Sequence, residues 1–321
     1  MIKEKYLVSV VMPTHNRGKV IRRSIDSIIN QSYENWELII VDDGSIDNTN
    51  LIVSNYIKAY PEKIKYYFYK ENKGASYARN IGIKKSRGSF LTFLDSDDEF
   101  CTDKISLQLQ AMIHFNKSFS LTDCEIYIDN KKKQKSMNVN GPKILKPIDV
   151  IFNKGSLISV MIRRDIINDA KYFNENLPSS NDYDFVLKYV SSYDILYLPN
   201  FLLKVHKSLD LKSDRISTNY SKKIKGYSEL LVMALKNEYN FSDKDNHSFI
   251  IKLNGDLGIF KLLNNEFVEG RKHLKYYLNN SIFSIKKIYA FILLILSYNK
   301  HLFNFSVVLA KALWRRGILS T

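Results

Sequence analysis

The sequence contains few cysteines and no apolar run long enough to cross a membrane. Its two cysteines, Cys101 and Cys124, fit no CxxC pair and no spacing typical of metal ligands, which indicates a reducing compartment. The best apolar candidate, residues 288–298, falls short of the roughly 18 apolar residues that a transmembrane helix needs. The N-terminal apolar stretch ends at polar residues 14–17, so it indicates a first strand and not a signal peptide. These absences predict a cytoplasmic protein.

Acidic residues are absent from residue 270 to residue 321, although the chain has 33 of them, and its net charge is +15. The same segment contains nine basic residues, at positions 271, 272, 275, 286, 287, 300, 311, 315 and 316. Apolar runs of helical character lie between them. One interpretation is attachment to an anionic membrane surface, where each basic residue contributes about 1 kcal/mol. The other is a helical cap with a basic solvated face. Nucleic-acid binding is not expected, because no helix-turn-helix, zinc-finger or RNP-like pattern accompanies the charge.

Short apolar stretches alternate with helical patterns over the first hundred residues. Strands are predicted at 6–13, 36–43, 64–70 and 89–95, and helices at about 18–30, from the second strand to about 60, and at 76–86. This alternation indicates an α/β fold with a parallel sheet and helices on its faces. In such sheets, ligands bind at the carboxyl ends of the strands.

Polar clusters follow all four predicted strands. They are PTHNR after the first, DDGS after the second, KENKG after the third and DSDD after the fourth. Each cluster alone is typical of a turn or of a helix start. Because they occur together at successive strand ends, we predict a single binding site. The four acids at 95 and 97–99 would repel one another there, which indicates that a positive group binds beside them.

Six stretches carry a resemblance to a known family. They are VSVVMPTHNR (8–17), ELIIVDDGSIDNT (37–49), NKGASYARNIG (72–82), FLTFLDSDD (90–98), SVMIRRDII (159–167) and NDYDFVLKY (181–189). Together they resemble the family 2 glycosyltransferases of the GT-A fold, over roughly residues 6–215. The resemblance implies a Rossmann-like, mixed sheet flanked by helices. Its nucleotide-sugar half would span about 1–100 and its acceptor half about 101–215, followed by a helical, basic region at 216–321.

The resemblance also assigns residues to the nucleotide. Asp42 or Asp43 matches the acid that accepts the uracil imide hydrogen, and Arg79 matches a residue near the base and phosphates. Gly74 and Gly82 match glycines that let the backbone pass close. The remaining positions that match the nucleotide site are Pro13, Thr14, Asn16, Arg17, Asn72, Asp95 and Ser96.

The metal and the catalytic base are implied in the same way. Asp97 and Asp95 form a D-x-D pair for Mn²⁺ or Mg²⁺, with Asp97 as the direct ligand, and His206 matches a histidine that reaches the metal or diphosphate. Asp182 matches the catalytic base, and Asp184 is the nearest alternative. The sequence departs from the family at Asn181, where relatives carry Glu, and at 171–173, where they often carry Gly-Gly-Phe.

The resemblance therefore implies an inverting, metal-dependent enzyme that moves a sugar from a UDP-sugar to a saccharide hydroxyl. Together with the acid-free, basic segment 270–321, the resemblance favours a lipid-linked acceptor at the inner face of the cell membrane. The reaction would then belong to lipopolysaccharide, capsule or similar surface-polysaccharide synthesis. A soluble or protein acceptor is an alternative, and so is a non-catalytic module that binds nucleotide sugars. The sequence does not distinguish a UDP donor from a TDP or GDP donor, and it does not determine the oligomeric state.

Overall fold

A computed structural model of the chain describes residues 5–128, 131–135, 140–153, 159–168, 172–207, 219–281, 285–304 and 306. The chain forms two compact units. The first comprises Met1–Asn176 and Asn181–Leu211, and the second comprises Leu177–Ser180 and Lys212–Thr321. The domain boundary expected at residue 215 lies outside the described residues.

The first unit is built on a ten-stranded mixed sheet. Its strands are β1 (Val8–Thr14), β2 (Trp36–Asp43), β3 (Ile64–Tyr69), β4 (Phe90–Phe93), β5 (Glu99–Phe100), β6 (Phe119–Ile128), β7 (Lys131–Lys135), β8 (Lys143–Leu145), β9 (Met161–Arg163) and β10 (Ile195–Lys207). Eight strands follow the order β3-β2-β1-β4-β9-β6-β10-β5, while β7 pairs with β6 and β8 with β10. The pairs β1–β2, β2–β3, β1–β4 and β6–β10 are parallel.

Helices cover the sheet and explain why its central strands are apolar. They are α1 (Ile21–Ile29), α2 (Thr49–Ala59), α3 (Ala75–Lys85), α4 (Lys104–His114), α5 (Pro147–Asn153) and α6 (Asn181–Val190). Every residue of β1 and β2 is buried, as expected for parallel strands covered on both faces. In α1, Ile21, Ile25 and Ile28 recur at helical spacing and pack into this core.

Two details of the elements differ from the sequence prediction. β4 ends at Phe93 and not at residue 95, since its pairing with β1 stops at Val11. Asp95, Asp97 and Asp98 lie in the loop 94–98, called the acidic loop below, and Glu99 begins β5. Gly82 brings α3 against β1, because a Cβ atom there would lie 2.3 Å from Val11 Cγ1. The close backbone approach that the resemblance implied at Gly82 is therefore to β1 of the sheet.

The second unit is helical in its described part. It contains α7 (Tyr220–Leu235), α8 (Asp243–Leu263), α9 (Phe267–Asn280) and α10 (Ile285–Leu296). Leucines of α8, α9 and α10 form a core together with Phe303. No helix among the described residues is both long enough and apolar enough to cross a bilayer. Of the nine basic residues in the segment 270–321, Lys311, Arg315 and Arg316 lie outside the described residues.

Candidate active site

The loops after β1 and β2 are bonded to each other at the edge where the parallel strands end. The backbone N–H of Asn16 donates to Ser45 Oγ (2.8 Å), and Asn16 Oδ1 accepts from the N–H of Ile46 (2.9 Å). The N–H of Arg17 donates to Thr49 Oγ1 (3.0 Å). Asn16 adopts a left-handed conformation, with φ of 51°. The first two polar clusters therefore form one surface.

Asp42 stabilises the second of these loops from inside the protein. Its Oδ1 accepts from the N–H of Ser45 (2.8 Å), and its Oδ2 accepts from the hydroxyl of Tyr66 (2.6 Å). Burial, together with the bond to Asp42, raises the pKa of Tyr66, so this hydroxyl stays protonated. Asp42 itself is fully buried.

Asp43 connects β2 to the loop after β3. Its two carboxylate oxygens accept from the backbone N–H groups of Lys73 (2.9 Å) and Gly74 (2.6 Å). Gly74 has φ of 94°, a conformation that side chains other than glycine rarely adopt. Each carboxylate oxygen carries two lone pairs, so Asp43 can accept a further donor.

Arg79, on α3, reaches the acidic loop. Its guanidinium donates to Asp95 Oδ1 at 2.7 Å and lies 5.5 Å from the centre of the Phe173 ring. Its Nε is buried and has no hydrogen-bond partner among the described residues. Arg79 thus joins the third polar cluster to the fourth and keeps one donor for another group.

Two further arginines contact the acidic loop. Arg23 donates to the backbone carbonyl of Asp97, and the Arg17 guanidinium lies 3.9 Å from Asp97 Oδ2. Burial, and then the charges of Asp95 and Asp97, raise the pKa of Asp98 well above its ordinary value. Mutual repulsion among these carboxylates therefore persists in the folded chain.

His206 contacts this loop from β10, inside the strand and not after it. Its backbone N–H donates to Asp98 Oδ1 (2.8 Å), and its Nε2 lies 2.6 Å from Glu99 Oε1. Its ring stacks on Tyr127 at 5.3 Å between centroids. His206 is thus brought to the acidic loop, where its Nε2 is paired with Glu99.

Carboxylate oxygens of the kind that Asp95 and Asp97 supply are the ligands that Mg²⁺ and Mn²⁺ prefer. No group of three or more His, Cys, Asp or Glu side chains in the described ranges is placed to hold a metal. A site of two carboxylates completed by phosphate oxygens and water needs no such group. This donor set fits a divalent cation.

The N-terminal turn of α6 separates the two candidate bases. Asp184 is fully buried and pairs with Lys188 Nζ at 2.8 Å, one helical turn away. Asp182 is partly exposed. Burial raises the pKa of Asp182, the charge of Arg79 lowers it, and the charge of Asp95 raises it. The charges of Arg79 and Asp95 therefore act on Asp182, whereas Asp184 forms an ion pair in the protein interior.

Sequence reasoning missed Asn80, which anchors the loop that leads to α6. Its Nδ2 donates to the Phe173 carbonyl (3.0 Å) and to Glu175 Oε1 (2.7 Å), and its Oδ1 accepts from the Phe173 N–H (2.9 Å). Asn181 Nδ2 donates to the carbonyl of Asn174 in the same loop (3.0 Å). The sequence could have indicated Asn80, because it directly follows Arg79 within the stretch 72–82 that carries the family resemblance.

The other predicted site residues are in the same region of the fold or beside it. Pro13 and Thr14 end β1 and are buried, Ser96 is buried in the acidic loop, and Asn72 is exposed in the loop after β3. Thr14 Oγ1 has no hydrogen-bond partner in the part of the chain that the structure describes. Lys171, one of the departures from the family pattern, lies outside the described residues.

Comparison with known proteins identifies relatives. The family model for glycosyl transferase family 2 matches residues 9–169. An uncharacterized glycosyltransferase of Haemophilus influenzae is 33% identical over 181 residues, covering 56% of this chain and 70% of the relative. The UDP-Glc:alpha-D-GlcNAc-diphosphoundecaprenol beta-1,3-glucosyltransferase WfgD of Escherichia coli is 33% identical over 172 residues, which cover 53% of this chain and 65% of WfgD. A longer uncharacterized glycosyltransferase of Rickettsia bellii is 36% identical over 183 residues, which are 54% of this chain and 25% of the relative.

Solved structures share the fold. The structure of S. aureus TarS 1–349 in complex with UDP-GlcNAc has a TM-score of 0.70 and 19% identity, and the match covers 97% of this chain and 92% of TarS 1–349. The mannosyltransferase PcManGT of Pyrobaculum calidifontis, in complex with GDP-Man and Mn²⁺, has a TM-score of 0.56 and 13% identity, with coverage of 95% and 84%. The predicted GT-A fold with a helical C-terminal region is confirmed.

Proposed function

Because the chain belongs to glycosyl transferase family 2, we propose that it transfers a sugar from a UDP-sugar to a hydroxyl group of a saccharide acceptor, with inversion of the anomeric configuration. The observation that carries the proposal is geometric: Arg79 pairs with Asp95 of the acidic loop (2.7 Å) and lies over the Phe173 ring, which stacks on Phe185 of α6, the helix that carries Asp182 (4.2 Å between ring centres). These residues are far apart in sequence, and the charges of Arg79 and Asp95 both act on Asp182.

On the donor side, Asp43 is the better candidate for the uracil imide hydrogen. Adjacent residues of a strand face opposite sides of the sheet, and Asp43 faces the loop that contains Asn72 and Gly74. Asp42 instead points to Tyr66 in the interior. The unpartnered Nε of Arg79 suits a base or phosphate oxygen. TarS has been crystallised with UDP-GlcNAc, which supports a uridine nucleotide.

Asp97 and Asp95 would hold the divalent cation, Mn²⁺ or Mg²⁺, with His206 as a third candidate. When bound, such a cation neutralises charge on the leaving diphosphate. The protein side of this site is the acidic loop, which Arg79 and the bond from His206 N–H to Asp98 keep in place. PcManGT, with Mn²⁺ in its structure, shares the fold.

On the acceptor side, Asp182 removes the proton from the attacking hydroxyl. The hydroxyl oxygen forms a bond to the anomeric carbon as the bond from that carbon to the diphosphate oxygen breaks, and the electron pair leaves with UDP. Proton removal by a correctly placed base contributes about 10²–10⁴-fold. The raised pKa of Asp182 makes it a stronger base than an ordinary carboxylate.

We further propose a lipid-linked saccharide as the acceptor, in surface-polysaccharide synthesis at the inner face of the cell membrane. WfgD, whose acceptor is named as a diphosphoundecaprenol-linked sugar, supports this class. The acid-free segment from residue 270 supports a position next to anionic lipid. A soluble or protein acceptor is the alternative.

A screen for UDP release over a panel of nucleotide sugars, with and without Mn²⁺, tests the proposal. We expect release from one UDP-sugar in the presence of an acceptor saccharide, and loss of release in EDTA. NMR of the product should show the anomeric configuration inverted. Tight binding of nucleotide sugars with no release from any of them would instead indicate a non-catalytic binding module.

A further inference from the structure

One side of α10 presents large apolar side chains that the helical unit does not cover. We define this outer face by Ile288, Tyr289, Phe291, Ile292 and Ile295, continued by Tyr298 and Leu302. Their exposed fractions lie between 44 and 63%. Positions 288, 291, 292 and 295 recur at helical spacing, so they line one side of the helix. Seven exposed apolar side chains within fifteen positions form a patch of the kind that marks an interaction surface.

The opposite side of α10 is already used for folding. Ala290, Leu293 and Leu294 are buried and pack with Leu262 of α8 and Leu274 of α9. α10 is therefore apolar on two sides, and the unit's own core accounts for one of them. No apolar cluster of the described residues covers the outer face.

A basic side chain lies at each end of the outer face, and acids are absent from this part of the sequence. Residues 270–321 contain nine Lys and Arg residues and no Asp or Glu. The Arg271 guanidinium lies 4.8 Å from the ring centre of Tyr298, at one end of the face, and donates to the Ser297 carbonyl (2.9 Å). Lys287 is anchored at the other end, by a bond from its Nζ to the carbonyl of Ser281 (2.7 Å).

From this combination we infer that the outer face of α10 inserts into the interfacial region of an anionic lipid bilayer. Apolar side chains flanked by tyrosines and by Lys or Arg are the pattern of helices that lie in a membrane interface. A second copy of the chain is disfavoured, because pairing two such faces would bring two acid-free, basic segments together. Anionic headgroups would instead neutralise that charge.

The inference rests on the proposed function, because a lipid-linked acceptor requires the enzyme to be at a membrane. Its physical basis is the geometry of α10. It names the surface that holds the enzyme where such an acceptor resides. The two ideas are tested by separate readouts, vesicle binding for the surface and sugar transfer to a water-soluble acceptor for the activity.

The experiment compares three forms of the full chain in flotation with vesicles of phosphatidylglycerol and phosphatidylcholine, and with vesicles of phosphatidylcholine alone. The forms are the wild type, a triple variant with Phe291→Ser, Ile292→Ser and Ile295→Ser, and a control with Leu51→Ser, Phe68→Ser and Phe115→Ser. The control residues are similarly exposed, in the other unit. Circular dichroism and thermal unfolding check that each form folds.

We expect the wild type and the control to float with the anionic vesicles at low salt, and less at high salt. Transfer of a Phe or Ile side chain from water into an apolar environment is favourable, so the outer-face variant should lose at least ~10-fold in partition coefficient. It should keep UDP release with a water-soluble acceptor.

Failure of the wild type to float at low salt would overturn the inference, and so would equal flotation of the outer-face variant. A dimer that the three serines dissociate, with no flotation, would assign the face to a second copy. Absence of transfer in all forms would refute the proposed function without bearing on the vesicle result.

Discussion

Asp97 lies in the acidic loop beside Asp98, whose pKa is raised first by burial and then by repulsion from the charges of Asp95 and Asp97. Replacing Asp97 by Ala removes one proposed metal ligand and part of that repulsion. We therefore expect Asp97→Ala to abolish transfer and Mn²⁺-dependent UDP binding, while the unfolding midpoint without metal stays equal or rises slightly. Calorimetric titration of UDP with and without Mn²⁺, beside thermal unfolding, measures both effects. Normal turnover by this variant, or full wild-type activity in excess EDTA, would contradict the metal assignment.

Asp182 and Asp184 are close in sequence, but their environments differ. Asp182→Asn removes the proposed base and leaves the nucleotide loops intact, so we expect kcat to fall by about 10²–10⁴-fold with UDP binding near normal. Asp184→Asn breaks the buried pair with Lys188 and should mainly lower stability, by about 3–5 kcal/mol. Steady-state kinetics and urea unfolding of the two variants distinguish these effects. A larger kcat loss in a still folded Asp184→Asn would mean that the base has been misassigned.

The charge of Arg79 lowers the pKa of Asp182, whereas burial raises it. Asp182 must be deprotonated to accept a proton, so activity is lost as pH falls through its pKa. Because that pKa is raised, the loss begins at a higher pH than for an ordinary aspartate. Removing the arginine charge raises the pKa further, so Arg79→Gln should move the acidic limb of the kcat profile to higher pH. Arg79→Lys keeps the charge and serves as the control. If the acidic limb of the kcat profile lies at the wild-type pH in both variants, the group that titrates in this profile is not Asp182.

At the scale of elements, the loop 172–176, which precedes α6, is bonded to a side chain of the nucleotide half. Asn80, from α3, makes two hydrogen bonds to the backbone of Phe173, and Asn181 bonds the start of α6 to Asn174. The position of Asp182 therefore depends on a side chain from the nucleotide half. This arrangement gives Asn80 a positioning role for the proposed base.

Asn80→Ala leaves a buried N–H of Phe173 without its acceptor, which costs about 1–3 kcal/mol of stability. The loop should shift and displace Asp182, and a displacement of about 1 Å can cost on the order of 10² in rate. We expect kcat to fall by about that factor, with UDP binding little changed. Gln108→Ala is the matched control, since Gln108 is also buried and bonds to backbone carbonyls (Ser120 and Ser159). An equal kcat loss in both variants would show a general effect of instability.

At the scale of the whole molecule, the chain contains two compact units, each with its own apolar core. Leu274 is fully buried in the core of the helical unit. Leu274→Ala should destabilise that unit by about 2–5 kcal/mol. Hydrogen exchange should then lose protection in 243–280 while protection in β1, β2 and α1 is retained. Equal loss in both regions would show that the two units unfold together.

The sequence by itself determined much of the nucleotide half. Apolar runs and the polar groups at their ends are local patterns, so β2 is found where it was predicted, and β1 and β3 begin or end within two residues of their predicted bounds. The resemblance carried by those patterns identified the family and the GT-A fold, which the comparisons confirm. The roles of Asp97, Asp182 and His206 stay predictions, to be tested by the experiments above.

Tertiary structure decided what depends on burial and on long-range contacts. Sequence alone left Asp182 and Asp184 as alternatives, and only packing shows that Asp184 is interior and paired with Lys188. The bonds from Asn80 to Phe173 and from His206 to Glu99 join residues 93 and 107 positions apart, beyond the reach of any local pattern. The same limit applies to α10, whose sequence is apolar nearly all round. Which of its sides is buried was settled by α8 and α9, because burial is a property of the neighbours that an element packs against.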